Sequence, residues 1–207
     1  MLTKIAVLIS GGGTNLQALI DAEKSGILKS GKIVLVISNR SDAYGLVRAR
    51  DNGIETAVIT RKASGGQERF EENIKTILKE RGIELIILAG FMSILSADFT
   101  AAYPKRIINV HPSLIPSFCG KGFYGLKVHE AALAKGVKVT GATVHFVNEI
   151  PDGGEIILQK AVYVEDGDTP ETLQRRVMEQ AEWILLPQAA EMVSKEISEK
   201  GDAYGKE

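Results

Sequence analysis

Five short runs of aliphatic and β-branched residues, Ile5–Ile9, Ile33–Ile37, Thr56–Ile59, Leu85–Ala89 and Ile107–Val110, punctuate the first half of the chain and set its fold class. Runs this apolar lack the alternation of a half-solvated strand, so they belong to strands covered on both faces. Between them the spacing is helical. Leu16, Leu19 and Ile20 share one face, Phe70, Ile74, Ile77 and Leu78 another, and Gly26, Gly53 and Gly82 stand where helix C-termini should fall. Strands alternating with helices predict an α/β, doubly wound parallel sheet whose ligands sit beyond the strand carboxyl ends.

After Val110 the pattern changes. Residues Pro112 to Gly125 include two prolines and three glycines with no clear period, and read as an active-site loop. There follow a short helix around Val128–Lys135 and two strand-like runs, Ala142–Val147 and Ile156–Val164, joined by Asn148–Gly154. Thr169-Pro170-Glu171 then opens one final helix: Thr169 suits the cap, Pro170 the first turn and Glu171 the helix dipole. The polar tail 198–207 is expected to fray. At 207 residues the chain can bury one substantial core, so a single domain over 1–207 is expected.

Charge and cysteine usage narrow the function classes. Lys plus Arg number 25 against 26 Asp plus Glu, so the net charge of −1 carries no basic excess for nonspecific nucleic-acid binding. Cys119 is the only cysteine, which excludes an intramolecular disulfide or a CxxC pair and fits a reducing cytosol. The apolar run behind Met1 is too short for a signal peptide, and no stretch is long enough to span a bilayer. A cytoplasmic protein with no membrane or nucleic-acid partner is expected.

Three segments could carry chemistry. Ser10-Gly11-Gly12-Gly13-Thr14-Asn15-Leu16 lies between a strand and a helix, where exposed N–H groups and the helix dipole favour a phosphate; a merely tight turn is the alternative. No Gly-Lys-Ser/Thr ends it, and Leu16 takes the place of a dinucleotide fingerprint's third glycine. Asn109 and His111 end the fifth strand, and alternation points both to one face with Val110 turned into the core. An amide and an imidazole then project side by side into the cleft. Asp152-Gly153-Gly154 precedes the last strand and by itself reads as a turn.

Other residues weigh less. Cys119 shares the loop after His111, but spacing alone gives no nucleophile geometry. His145, alternating with Thr143 and Val147, suits a structural hydrogen bond or a site edge equally. His129 belongs on a helix, and three dispersed histidines without HxxxH or HxH spacing make no metal site. Trp183 and Leu186 read as core.

Taken together, Ser10–Gln17, Ala89-Gly90-Phe91-Met92 with Ile94-Leu95-Ser96, Asn109–Pro116, Thr143–Val147 and Asp152–Gln159 closely resemble the phosphoribosylglycinamide formyltransferase family. The resemblance covers nearly the whole chain in order, and its most specific part is Asn-x-His-Pro-Ser-x-x-Pro following Ala-Gly-Phe-Met. It implies the formyltransferase fold, a mostly parallel sheet with an antiparallel C-terminal extension. It also implies a phosphate-binding half over about 1–100 and a folate and catalytic half over about 101–197. The implied reaction is direct transfer from 10-formyltetrahydrofolate to the amine of glycinamide ribonucleotide in purine biosynthesis, without metal or obligate protein partner. Asn109, a protonated His111 and Asp152 would stabilise the tetrahedral intermediate, Asp152 by raising the histidine pKa.

The same resemblance assigns Gly13, Thr14, Asn15 and Glu182 to the ribonucleotide. It assigns Met92, Ser93, Ile94, Leu95, Asn109 and the stretch Asn148, Glu149, Ile150, Pro151, Asp152 to the folate. Two departures stand out. Gln67, with Arg69 nearby, occupies a position where the family often has a basic residue suited to the folate carboxylates. The family's Glu-His pair falls on Glu182 and Trp183 counted back from Pro187, but counting forward from Arg176 misses by one residue.

Two related activities are expected to need more than the pattern read here. A formyltetrahydrofolate hydrolase resembles this chain with an added N-terminal regulatory domain, and a methionyl-tRNA formyltransferase carries a C-terminal β-barrel and a basic surface. A non-catalytic nucleotide-binding module would explain the glycine loop but leave the Asn109 and His111 pair without a purpose.

Overall fold

The structure is a computed structural model that describes residues 1–204. Its elements, in order, are β1 (Thr3–Ile9), α1 (Thr14–Ser25), β2 (Gly31–Ser38), α2 (Gly45–Asp51), β3 (Glu55–Val58), α3 (Arg61–Ser64), α4 (Gln67–Glu80) and β4 (Leu85–Leu88). After these come α5 (Ala97–Ala101), β5 (Ile107–His111), α6 (Leu126–Lys135), β6 (Val139–Phe146), β7 (Ile156–Tyr163), α7 (Pro170–Val177), a π-helical segment (Met178–Glu182) and α8 (Trp183–Tyr204). The seven strands form one sheet in the order β3-β2-β1-β4-β5-β6-β7. The first five pair in parallel, while β6 and β7 run antiparallel, as the formyltransferase-like reading expected.

The apolar runs are buried on both faces, and alternation sorts each strand between two layers. Ile5, Val7 and Ile9 of β1 pack with Leu16 and Leu19 of α1 and with Leu185, Leu186 and Ala189 of α8. Ala6 and Leu8 face the opposite layer, with Phe70, Ile74 and Leu78 of α4 and Phe99 of α5. Each such large side chain contributes on the order of 1.5–3 kcal/mol by leaving water. The strand order reverses direction between β1 and β4, so the loops that follow these two strands part there and leave a crevice. The Ser10 hydroxyl accepts from the Met92 N–H at 2.8 Å and ties the two loops together.

The C-terminal region differs from the sequence expectation. The capping box at Thr169 forms as predicted, but α7 ends after two turns and passes through the π-helical segment into α8. The tail does not fray at Ser198: α8 continues to Tyr204, anchored by buried Val193 and Ile197 and by Glu191, whose carboxylate accepts from the N–H groups of Lys29 and Ser30. Positions 205–207 lie outside the described residues.

Candidate active site

The glycine loop after β1 opens α1 with no side-chain cap, so the first-turn N–H groups are left to an external acceptor. Gly13 is glycine for a reason of its own: φ is 72°, and a Cβ there would stand 2.6 Å from the Gly45 Cα. Gly11 and Gly12 meet no such neighbour. Beside the loop, Asn15 donates to the Glu182 carboxylate at 2.7 Å. Burial pushes the Glu182 carboxyl up to about 7, against the Asn15 hydrogen bond, which pulls it down.

The π-helical segment explains the one-residue mismatch around Glu182. A π-turn takes in one more residue than an α-turn. The extra residue is absorbed between Met178 and Glu182, so Glu182 meets Asn15 while α8 keeps its register on the sheet.

At the far side of the crevice, β5 presents Asn109 half-buried and His111 buried, with Val110 in the core as alternation required. The turn between β6 and β7 brings Asp152 to them. Asp152 holds φ at 57°, a left-handed conformation that Asp tolerates and that is common at functional sites. Gly154 lets the turn fold back: a Cβ there would fall 1.7 Å from the Phe146 carbonyl oxygen. The turn reading of Asp152 and its siting beside the histidine therefore both hold.

Asp152 stands between two imidazoles, 3.5 Å from His111 Nδ1 and 3.5 Å from His145 Nε2, and accepts from the Gly120 N–H at 2.8 Å. Its burial opposes ionisation more than any other single influence, but the His145 hydrogen bond, the His111 charge and the Gly120 N–H together hold the carboxyl below its usual range. His111 Nε2 lies 2.8 Å from the Phe118 carbonyl, which accepts a hydrogen bond from the Nε2–H and leaves Nδ1 toward Asp152. Burial lowers the His111 pKa by more than Asp152 and the Phe118 carbonyl raise it, and His145 adds to the lowering.

His145, left open by the sequence, belongs to this cluster. Its Nδ1 lies 2.7 Å from the Phe146 carbonyl, and its Nε2 lies 3.2 Å from the Asn109 amide nitrogen. The signal that finds it is the antiparallel register pairing Asn109 with His145. The loop after β5, read from the sequence as an active-site loop, takes part through its backbone: the carbonyl of Phe118 and the N–H of Gly120 hold His111 and Asp152 from one side. Cys119 is half-buried, its thiol pushed up by burial and then by the Asp152 charge, which suits no nucleophile. His129 is buried on α6, its pKa lowered to about 4 by burial and then by His111. Among the described residues no cluster of three or more His, Cys, Asp or Glu is placed to hold a metal ion.

Two connected hollows surround the cluster. A cleft of about 560 Å³ runs from Gly90–Ile94 past Asn109, His111 and Asp152 to Gly120–Gly125. A recess of about 120 Å³ is walled by Leu88, Phe91, Leu95 and Val147 and edged by the backbone of 148–152. All the folate candidates border these hollows, Met92 on the cleft and Leu95 on the recess. A separate groove of about 520 Å³ between α1 and α8 has only Asp21 and Arg48 as charged groups and lies away from this chemistry.

The comparisons with known proteins agree with this geometry. A family model described as formyl transferase matches residues 3–189. The chain is 45% identical over 184 residues to the phosphoribosylglycinamide formyltransferase of Haemophilus influenzae, covering 89% of this chain and 84% of that protein. It is 46% identical over 200 residues to the trifunctional purine biosynthetic protein adenosine-3 of Gallus gallus, covering 97% of this chain but 19% of that protein. It spans 60% of the chloroplastic phosphoribosylglycinamide formyltransferase of Arabidopsis thaliana, at 41% identity over 84% of this chain. Among solved structures, glycinamide ribonucleotide transformylase 1 from Symbiobacterium toebii superposes with a TM-score of 0.88 at 42% identity, covering 94% of this chain and 89% of that one.

Proposed function

The chain belongs to the formyl transferase family and, within it, to the phosphoribosylglycinamide formyltransferases, and from that premise we propose that it moves the formyl group of 10-formyltetrahydrofolate onto the amine of glycinamide ribonucleotide. The observation that carries this reading is the convergence of Asn109, His111 and Asp152 on one cleft beside the crevice where the sheet order reverses. The recess fits a flat bicyclic ring: its walls are apolar, and the backbone of 148–152 offers polar partners along one edge. Met92, Ser93, Ile94 and Leu95 hold the opposite side. The first-turn N–H groups of Gly13, Thr14 and Asn15 receive the phosphate, and Glu182 takes the ribose hydroxyls.

In this mechanism the substrate amine attacks the formyl carbon, forming a C–N bond and placing negative charge on the formyl oxygen. The Asn109 amide, held beside His145, turns an N–H toward that oxygen. His111 accepts the proton of the new ammonium group at Nδ1. The resulting imidazolium lies between the Phe118 carbonyl and Asp152, which stabilise it. It returns the proton to the folate nitrogen as the bond from that nitrogen to the formyl carbon breaks.

We also read the protein as one cytoplasmic domain acting without metal or obligate partner. The chain covers 84% of the Haemophilus influenzae relative, in keeping with a single domain. Incubating the protein with 10-formyltetrahydrofolate, with and without glycinamide ribonucleotide, tests the activity. Formyl release should require the ribonucleotide; equal release in plain buffer would mark a hydrolase and overturn the reading.

A further inference from the structure

The departure at Gln67 raises the question of what holds the anionic end of a folate in this chain. The Gln67 side chain is committed. Its amide nitrogen donates to Glu71 at 2.5 Å and to the Ile94 carbonyl at 3.1 Å, and its oxygen is buried. It fastens the Met92–Leu95 loop to α4 and presents no charge. Arg69 is exposed, with its guanidinium lying back over Gly65 in the turn between α3 and α4. It is absent from the lining of both hollows.

The opposite wall of the cleft supplies what Gln67 does not. Gly120, Lys121, Gly122, Phe123 and Tyr124 face Met92 and Ile94 across it, and Lys121 is the only lysine or arginine among its described lining residues. Lys121 is exposed and makes no ion pair among the described residues. Aromatic and aliphatic side chains on the two walls suit a benzoyl ring between them, and a free ammonium at the rim suits a carboxylate beyond that ring. In the same reading the ribonucleotide phosphate accepts from the N–H groups at the start of α1, whose residues do not line this cleft.

We propose that Lys121 is the receptor for the glutamyl carboxylates of the folate, taking over on the loop after β5 the charge that is missing at Gln67. The assignment rests on the formyl transfer reading above. It makes Lys121 a specificity-determining residue, one position from the Gly120 N–H that binds Asp152, so the loop that grips the donor's tail also holds the catalytic carboxylate.

The test is steady-state kinetics with three formyl donors, bearing no glutamate, one glutamate or five, for wild type, Lys121→Ala, Lys121→Arg and Arg69→Ala. In Lys121→Ala the KM for the glutamylated donors should rise about two- to fivefold, as expected for one exposed charge pair. The KM for the donor without glutamate and for the ribonucleotide should stay at wild-type values, Lys121→Arg should restore the glutamyl preference, and Arg69→Ala should keep it. An unchanged glutamyl preference in Lys121→Ala, a loss that falls on the ribonucleotide KM, or a loss of the preference in Arg69→Ala would overturn the proposal while leaving the activity intact. A wild-type protein that transfers no formyl group would instead remove the reading beneath it.

Discussion

Asn15 donates a 2.7 Å hydrogen bond to Glu182, which lies 167 residues further along the chain. The pair joins the first turn of α1 to the π-helical segment and stands beside the glycine loop. Because Glu182 is buried with its carboxyl at about 7, the pair is also a source of pH dependence. A raised folded-state pKa means that the native protein binds the proton more tightly than the unfolded chain does. Glu182 therefore favours folding at low pH and loses that contribution as pH rises from about 4.5 through about 7. We expect Glu182→Gln to remove this loss. Relative to wild type, denaturant unfolding should give a stability difference that moves in favour of the variant between pH 4.5 and 8, by on the order of 3 kcal/mol. A difference flat across that range would show that Glu182 ionises normally.

Asp152→Asn keeps the left-handed turn, because Asn tolerates a φ of 57° as well as Asp does, and removes only the charge. With the transition-state imidazolium unsupported, kcat should fall by roughly 10²–10³ while both KM values stay nearly constant. The His111 pKa, already lowered by burial, should drop further in an NMR titration because the raising influence of Asp152 is gone. Wild-type kcat across pH in a folded variant would reduce Asp152 to a turn residue.

His145→Ala should lower kcat by about 10–10² through loss of orientation, since it frees the Asn109 amide and removes one of the two imidazoles facing Asp152. Its effect and that of Asn109→Ala should be less than additive, because both act through the same amide. Strict additivity in a double-mutant cycle would separate His145 from Asn109.

The three loop glycines should divide into two classes. Gly13→Ala strains φ and collides with Gly45, so we expect it to cost at least about 1–3 kcal/mol in thermal or denaturant unfolding. Gly12→Val meets open space and should keep the wild-type melting temperature while raising the KM for the ribonucleotide alone. If Gly12→Val instead weakened folate binding to the same extent, the phosphate would not sit at this loop.

The sequence by itself determined the layers and the loops. Continuous apolar runs at Ile5–Ile9 and Leu85–Ala89 can only be buried on both faces, and glycines between a strand and a helix leave the backbone open, so the sheet and its glycine loop were legible from local pattern. The pairing of Asn109 and His111 on one face was legible for the same reason, because alternation along a strand is a local property. What joined them was not local. His145 meets Asn109 only through the antiparallel register of β5 and β6, and Asp152 reaches both histidines only because the β6–β7 turn folds back over Phe146. The balance of influences at His111 also rested on tertiary structure: Asp152 raises its pKa, but the desolvation that lowers it comes from packing that no spacing records. The same holds at Glu182, where two counts along the chain disagreed by one residue. A π-turn reconciles them, because it lets the helix absorb an extra residue while its ends stay fixed by contacts from α1 and the sheet.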